Sequence, residues 1–136
     1  MTVSVTSVGA ITLFVQDPKQ SRSFYERVFG LPVLFEDDAS VMFRFGNTIV
    51  NLLQLSAARE LIAPAVAAGA EGGSRLQLTI WVDDADAASA ELRDRGVELL
   101  NGPFDRPWGV RTACFADPDG HVWEVAQQLQ NAESSV

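Results

Sequence analysis

The chain is poor in residues that staple, clasp or cross. Its 136 residues include one cysteine, one histidine, one tyrosine and only ten basic side chains. A single cysteine, Cys114, excludes an internal disulfide and a cysteine-based zinc finger. A single histidine, His121, cannot supply both a catalytic triad and a metal shell. Ten basic residues against 18 acidic ones leave a net charge of −8. That field repels phosphate backbones, so no nucleic-acid partner is expected, and it mildly favours cationic ligands. Solubility alone accounts for the same charge. No apolar run approaches the ~18 residues that cross a bilayer, and no charged-then-apolar leader opens the chain; together these predict a cytoplasmic protein without a membrane partner. No serine-nucleophile motif or phosphate loop is present. The run "GAEGGS" lacks the preceding strand and following helix of a nucleotide fingerprint and reads as a tether.

What is present is a hydrophobic fraction of 47%, enough for a core, and an internal echo. "AITLFVQD" and "QLTIWVDD" are both β-branched, apolar runs that stop at an aspartate and pass into a helical pattern. A shift of 67 residues lays Ala10 on Gln77, Phe14 on Trp81 and Asp17 on Asp84. In the first copy, Asp17 is placed to cap a helix with Pro18 at its first position, Phe24, Tyr25, Val28 and Phe29 on one face, and Gly30 as its stop. Strands "LPVLFED", "VMFRFG" and "NTIVNLLQL" follow, the last two joined by a Gly46–Asn47 hairpin. In the second copy, Asp83 or Asp84 caps a helix that ends at Gly96. "VELLNGPF", "VRTACFA" and "HVWEVAQQ" follow, the last two joined by the turn Asp117-Pro118-Asp119-Gly120. The order predicts an α+β protein of two duplicated βαβββ modules, at about 8–55 and 75–128. A linker of a helical turn or two plus a Gly-rich tether fills 56–74, and a tail spans 129–136.

"FYERVFGLPV" after an Asp-capped helix start, with the closing "DPDGHVWEV", resembles the vicinal oxygen chelate superfamily. That group includes glyoxalase I, extradiol dioxygenases, fosfomycin-resistance enzymes and bleomycin-resistance proteins. The resemblance runs from about Val8 to Gln128. It implies the glyoxalase/bleomycin-resistance/dioxygenase fold: one domain whose sheets curl into an open cup holding a ligand or metal, usually in a homodimer. It also implies that four positions carry the metal ligands of metal-using relatives, here Ala10, Asn51, Gln77 and Glu124.

A divalent transition metal wants three or four imidazole, thiolate or carboxylate donors. Alanine offers none, Asn51 and Gln77 offer neutral amide oxygens, and only Glu124 is charged. His121 lies three positions from Glu124, so strand alternation turns it to the opposite face. The glyoxalase reaction needs a metal and a carboxylate base, and Asn51 accepts no proton; extradiol cleavage needs two histidines and a carboxylate. The set therefore predicts no metal cofactor, with zinc, nickel, iron or manganese as the alternative.

Alternation from Ala10 turns Thr12 and Phe14 into the cup, and from Gln77 turns Thr79 and Trp81. The Gly46–Asn47 hairpin pairs Arg44 with Ile49 and Met42 with Asn51, bringing Met42 and Arg44 to the same side. By resemblance, "FDRPWGV" overhangs the cup mouth with Trp108 as a lid. Each residue also has a plainer role. Phe14 and Trp81 serve equally as packed aromatics, Trp123 is core, Arg44 is a ligand anchor or a solvated rim residue, and Glu124 and Gln77 can bond each other. Cys114 faces Glu124 and the cup if the Asp117–Gly120 turn holds three loop residues, and the core if it holds four.

The leading expectation is a cytoplasmic homodimer that binds a small organic ligand, cationic or aromatic, as bleomycin-resistance proteins do. The alternative is a metal-dependent lyase, isomerase or dioxygenase with Glu124 as its catalytic residue, or a metal-free isomerase with Glu124 as base. A purely structural protein would fill the cup with its own side chains, Phe104 or Trp108 among them.

Overall fold

The computed structural model describes residues 3–129, so nearly all of the tail assigned to 129–136 lies outside the described residues. The chain divides between Gly72 and Gly73 into two compact units. In the first, β1 (Ala10–Val15) leads into α1 (Pro18–Phe29), then β2 (Val33–Glu36), β3 (Ser40–Phe45), β4 (Thr48–Gln54) and α2 (Leu55–Ile62). In the second, after a single 3-10 turn at Ala70–Gly72, β5 (Gln77–Trp81) leads into α3 (Ala85–Asp94), then β6 (Leu99–Arg106), β7 (Val110–Ala116) and β8 (Val122–Gln128).

Both units build the same open mixed sheet, in the orders β1-β4-β3-β2 and β5-β8-β7-β6. The reason is shared. A helix carries the chain from the first strand to the far edge, and two hairpins bring it back until the last strand lies parallel to the first. The predicted α+β class and the duplicated βαβββ order are therefore the observed ones.

Local chemistry sets the helix ends. Asp17 stays extended and its carboxylate accepts the Lys19 amide at 3.0 Å, Pro18 opens α1, and Gly30 closes it at φ 66°, a left-handed conformation that favours glycine. Of the two aspartates offered for the second helix, Asp84 is the cap, accepting from Ala87 at 3.1 Å. The Gln127 side chain reaches from β8 to accept the Ala85 amide at 2.8 Å, so sheet and helix N-terminus are tied together.

One face of each sheet packs on its helix. In the first unit Leu13, Val15, Val41, Phe43, Val50 and Leu52 are buried with Phe24, Tyr25 and Val28 of α1. Tyr25 is fully buried, stacked 5.9 Å from Phe43 and tilted against Phe29 at 5.5 Å, and the Phe29 ring meets Phe45 edge-on at 5.0 Å. In the second unit Leu92, Ala113, Phe115, Trp123 and Val125 form the corresponding core. No helix among the described residues is long and apolar enough to cross a membrane.

Candidate functional site

Because side chains at paired strand positions share a face, the register shows what stands on the side of each sheet away from α1 or α3. In the first unit, Thr12 pairs with Asn51 and Asn51 with Met42. Beside that row lies Ala10–Ile49–Arg44, and on the other side Phe14–Leu53–Ser40. In the second unit, Thr79 pairs with Glu124, Glu124 with Cys114, and Cys114 with Asn101. The duplication thus extends to individual contacts: Thr12–Asn51–Met42 corresponds to Thr79–Glu124–Cys114.

The segment after β4 decides how these two faces differ. The helical turn or two expected ahead of the Gly-rich tether is α2, which lies on β1 and β4, and Leu55, Ala58 and Ala67 form a buried cluster with Phe14, Leu53 and Ile62 against it. Phe14 therefore sits under α2 rather than in open space. Met42 and Thr12 are half-buried and Arg44 is exposed, without an ion pair among the described residues. The side-chain carbonyl oxygen of Asn51 is buried with no hydrogen-bond partner among the described residues. Such an oxygen costs about 1–3 kcal/mol, recovered when a donor reaches it.

The second unit keeps its equivalent face uncovered at the Phe14 position. Trp81, which corresponds to Phe14, is 61% exposed, Phe104 40% and Trp108 69%. Glu124 is half-buried, and the Thr79 hydroxyl donates to its Oε1 at 2.8 Å. Gln77 stands exposed on the same face and makes no bond to Glu124; Thr79 takes that place instead. Cys114 is a buried free thiol beside Glu124, which resolves its two possible orientations in favour of the shared face. His121 is not on the strand at all. It precedes β8 in the turn, where its amide donates to Asp117 at 2.9 Å and its Nδ1 lies 2.8 Å from the other Asp117 oxygen.

Two residues on this face, Arg106 and Thr112, carry no signal in the sequence. Arg106, at the end of β6, donates from Nε to the buried Thr112 hydroxyl at 3.0 Å. Its guanidinium carbon lies 4.4 Å from the Phe104 ring centre and 5.9 Å from that of Trp108, cation–π distances. The neighbouring pair points the other way: Arg111 bonds Asp105 at 2.9 Å and Asp86 of α3 at 3.0 Å. The Asp105 bond above all, then that to Asp86, holds the Arg111 guanidinium more firmly protonated than usual. What sets this alternation is β6 itself, whose register slips twice around Gly102, and sequence offers no sign of where a slipped strand resumes.

The donor chemistry does not fit a divalent transition ion. Of the four ligand positions that the resemblance implies, the first unit contributes Ala10 and Asn51, with no charge. The second contributes Gln77 and a Glu124 already held by Thr79. Among the described residues no three His, Cys, Asp or Glu side chains gather in metal-binding proximity. A separate cleft of about 540 Å³ in the first unit is lined by Asp17, Glu36, Asp37 and Asp38. Most of these acids are already engaged: Asp17 caps α1, Glu36 meets Arg22 at 2.6 Å, and the Ala39 amide, then the Ser40 hydroxyl, hold the Asp37 carboxyl below its usual range.

The comparisons agree with this architecture. The family model described as Glyoxalase/Bleomycin resistance protein/Dioxygenase superfamily matches residues 7–125. The chain belongs to this superfamily. Uncharacterized protein YraH of Bacillus subtilis (strain 168) is 32% identical over 123 residues, 88% of this chain and 96% of YraH. A glyoxalase/bleomycin resistance protein/dioxygenase from Nocardioides is 26% identical, with a TM-score of 0.85 over 99% of this chain and 92% of its own. TnmS3, an antibiotic-binding protein from Streptomyces sp. CB03234, is 26% identical, with a TM-score of 0.70 over 93% of this chain and 99% of its own.

Proposed function

We propose that this superfamily member is a small-molecule-binding protein that takes up an organic ligand with an aromatic or otherwise planar portion, without a catalytic metal. The observation that carries the reading is the second unit's face. Trp81 and Phe104 stand there, 61% and 40% exposed, on the same side of the sheet as Thr79, Cys114 and Glu124, and Trp108, 69% exposed in the turn after β6, lies close to Arg106 of that face. Large aromatics left in water are costly unless something covers them, and rings with a few fixed polar groups are what binding sites for such ligands offer. Glu124, with one oxygen on Thr79, would orient a ligand donor through the other. The antibiotic-binding activity named for TnmS3 is a precedent on the same fold.

The same proposal takes the working form to be a cytoplasmic homodimer. Each unit's sheet ends on edge strands, β1 and β2 or β5 and β6, and edges of this kind favour assembly.

Tryptophan fluorescence tests the binding reading. Titration with a panel of cationic and of aromatic natural products should quench Trp81 and Trp108, while Trp123, buried in the core, supplies an unquenched background. Trp108→Phe should remove part of the quenching. If no compound in the panel alters the emission, the proposal fails. Elemental analysis of protein purified without chelator is the second arm. Near-stoichiometric zinc, nickel, iron or manganese would return the chain to metal-dependent lyase, isomerase or dioxygenase chemistry at Glu124.

A further inference from the structure

Four arginines among the described residues are half-buried: Arg22, Arg95, Arg106 and Arg111. Three of them are neutralised by carboxylates, Arg22 by Glu26 and Glu36, Arg95 by Glu91, and Arg111 by Asp86 and Asp105. Arg106 has no carboxylate partner among the described residues, in a chain where acids outnumber bases by 18 to 10. Yet it is held in place. Its Nε is engaged by Thr112, which is 1% exposed, and its flat guanidinium lies over Phe104 with Trp108 beyond. Ordering a long, flexible side chain costs entropy, and partial burial of its charge costs solvation. Both costs are met here without an ion pair.

With Nε occupied, the two terminal nitrogens remain as a parallel fork. That fork matches the two oxygens of a carboxylate, the bidentate geometry in which arginine binds most strongly. The rings on which it stacks offer their free faces to whatever the carboxylate is attached to.

We propose that Arg106 is the anion-recognition residue of the second unit, binding the carboxylate of a ligand whose aromatic or unsaturated part lies against Trp108 and Phe104. The proposal rests on small-molecule binding at this face and names the ligand class. It also reverses what the net charge of −8 suggests by itself. Charges farther than about 8–10 Å are largely screened at ordinary ionic strength, so the adjacent guanidinium, not the total, sets the local preference.

The test compares three probes that share one ring system: 2-naphthoate, 2-naphthamide and 2-naphthyl phosphate, titrated by calorimetry and tryptophan fluorescence. Naphthoate should bind about tenfold tighter than the neutral amide, and Arg106→Gln should bring the ratio of the two affinities, measured within the variant, to about one. Arg106→Lys keeps the charge but loses the fork and the stacking, and should recover only part of the margin; thermal melts confirm that both variants are folded. Equal affinity for naphthoate and naphthamide, or a margin that survives Arg106→Gln, overturns the assignment to Arg106. Tighter binding of the phosphate ester than of naphthoate overturns the carboxylate. If the amide binds and the carboxylate does not, the binding function stands and this inference falls; if none of the three binds and the natural-product panel is also silent, both fall.

Discussion

At the scale of single residues, the second unit depends on a position with no side chain. Gly102 sits in β6 at φ 85°, and a Cβ built there would overlap the Thr112 carbonyl oxygen and come within 2.8 Å of the Ala113 Cα. Both are backbone atoms, which cannot rotate aside. That close approach lets the slipped strand stay paired with β7, so that Phe104 stands opposite Thr112 and Arg106 opposite Val110. Gly102→Ala should therefore cost about 2 kcal/mol or more in urea unfolding, through left-handed strain and overlap together. A midpoint within error of wild type would mean the strand does not need this approach. Gly46 is also at positive φ, but a Cβ there would meet nothing within 4 Å, so it carries only the conformational part of that cost.

At the scale of elements, α2 makes the first unit's sheet face differ from the second's. It is eight residues long, has no side-chain N-cap and would be marginal as an isolated helix. What holds it is tertiary: Leu55, Ala58 and, beyond its end, Ala67 are buried against Phe14, Leu53 and Ile62. Leu55→Ala should lower stability by about 2–3 kcal/mol, the cost of a truncated buried leucine. In hydrogen exchange it should raise the rates of the α2 amides before those of α1. Equal protection of both helices in the variant would show that α2 is held by something other than this cluster. Since α2 covers the Phe14 row and no described element covers Trp81, the proposed ligand contacts are assigned to the second unit, and the same variant should leave naphthoate binding there largely intact.

At the scale of the whole molecule, the measurable quantity is assembly. A homodimer predicts a mass of roughly twice the 14.7 kDa chain by sedimentation at micromolar concentration, without dependence on added metal. A mass of one chain refutes the dimer and leaves the binding proposal to stand on the second unit alone. The charge of −8 affects this measurement as well: repulsion between copies weakens as salt is raised, so the dimer should be favoured, not dissociated, between low and moderate ionic strength.

The α+β class, the duplication, the Asp17 cap and Gly30 stop, and the pairing of Met42 with Asn51 were all readable in the residues. Each rests on local rules: a cap needs one side chain near one amide, and a two-residue hairpin sets its own register. That Ala10, Asn51 and Gln77 carry no charged donor was readable as well, while their standing as ligand positions came from the resemblance alone. Three features waited for the tertiary structure. Leu55, Ala58 and Ile62 recur at helical spacing, but the spacing does not say which surface they meet, and that surface is the Phe14 face. Cys114 joined Glu124 only once the turn geometry was settled. Arg106 reached Thr112 and the two rings only through a strand that slips its register twice. Sequence governs dihedrals, caps and composition because these act over a few residues; docking and bulged register are decided by contacts between segments far apart in the chain, where small differences in packing choose among alternatives that look alike locally.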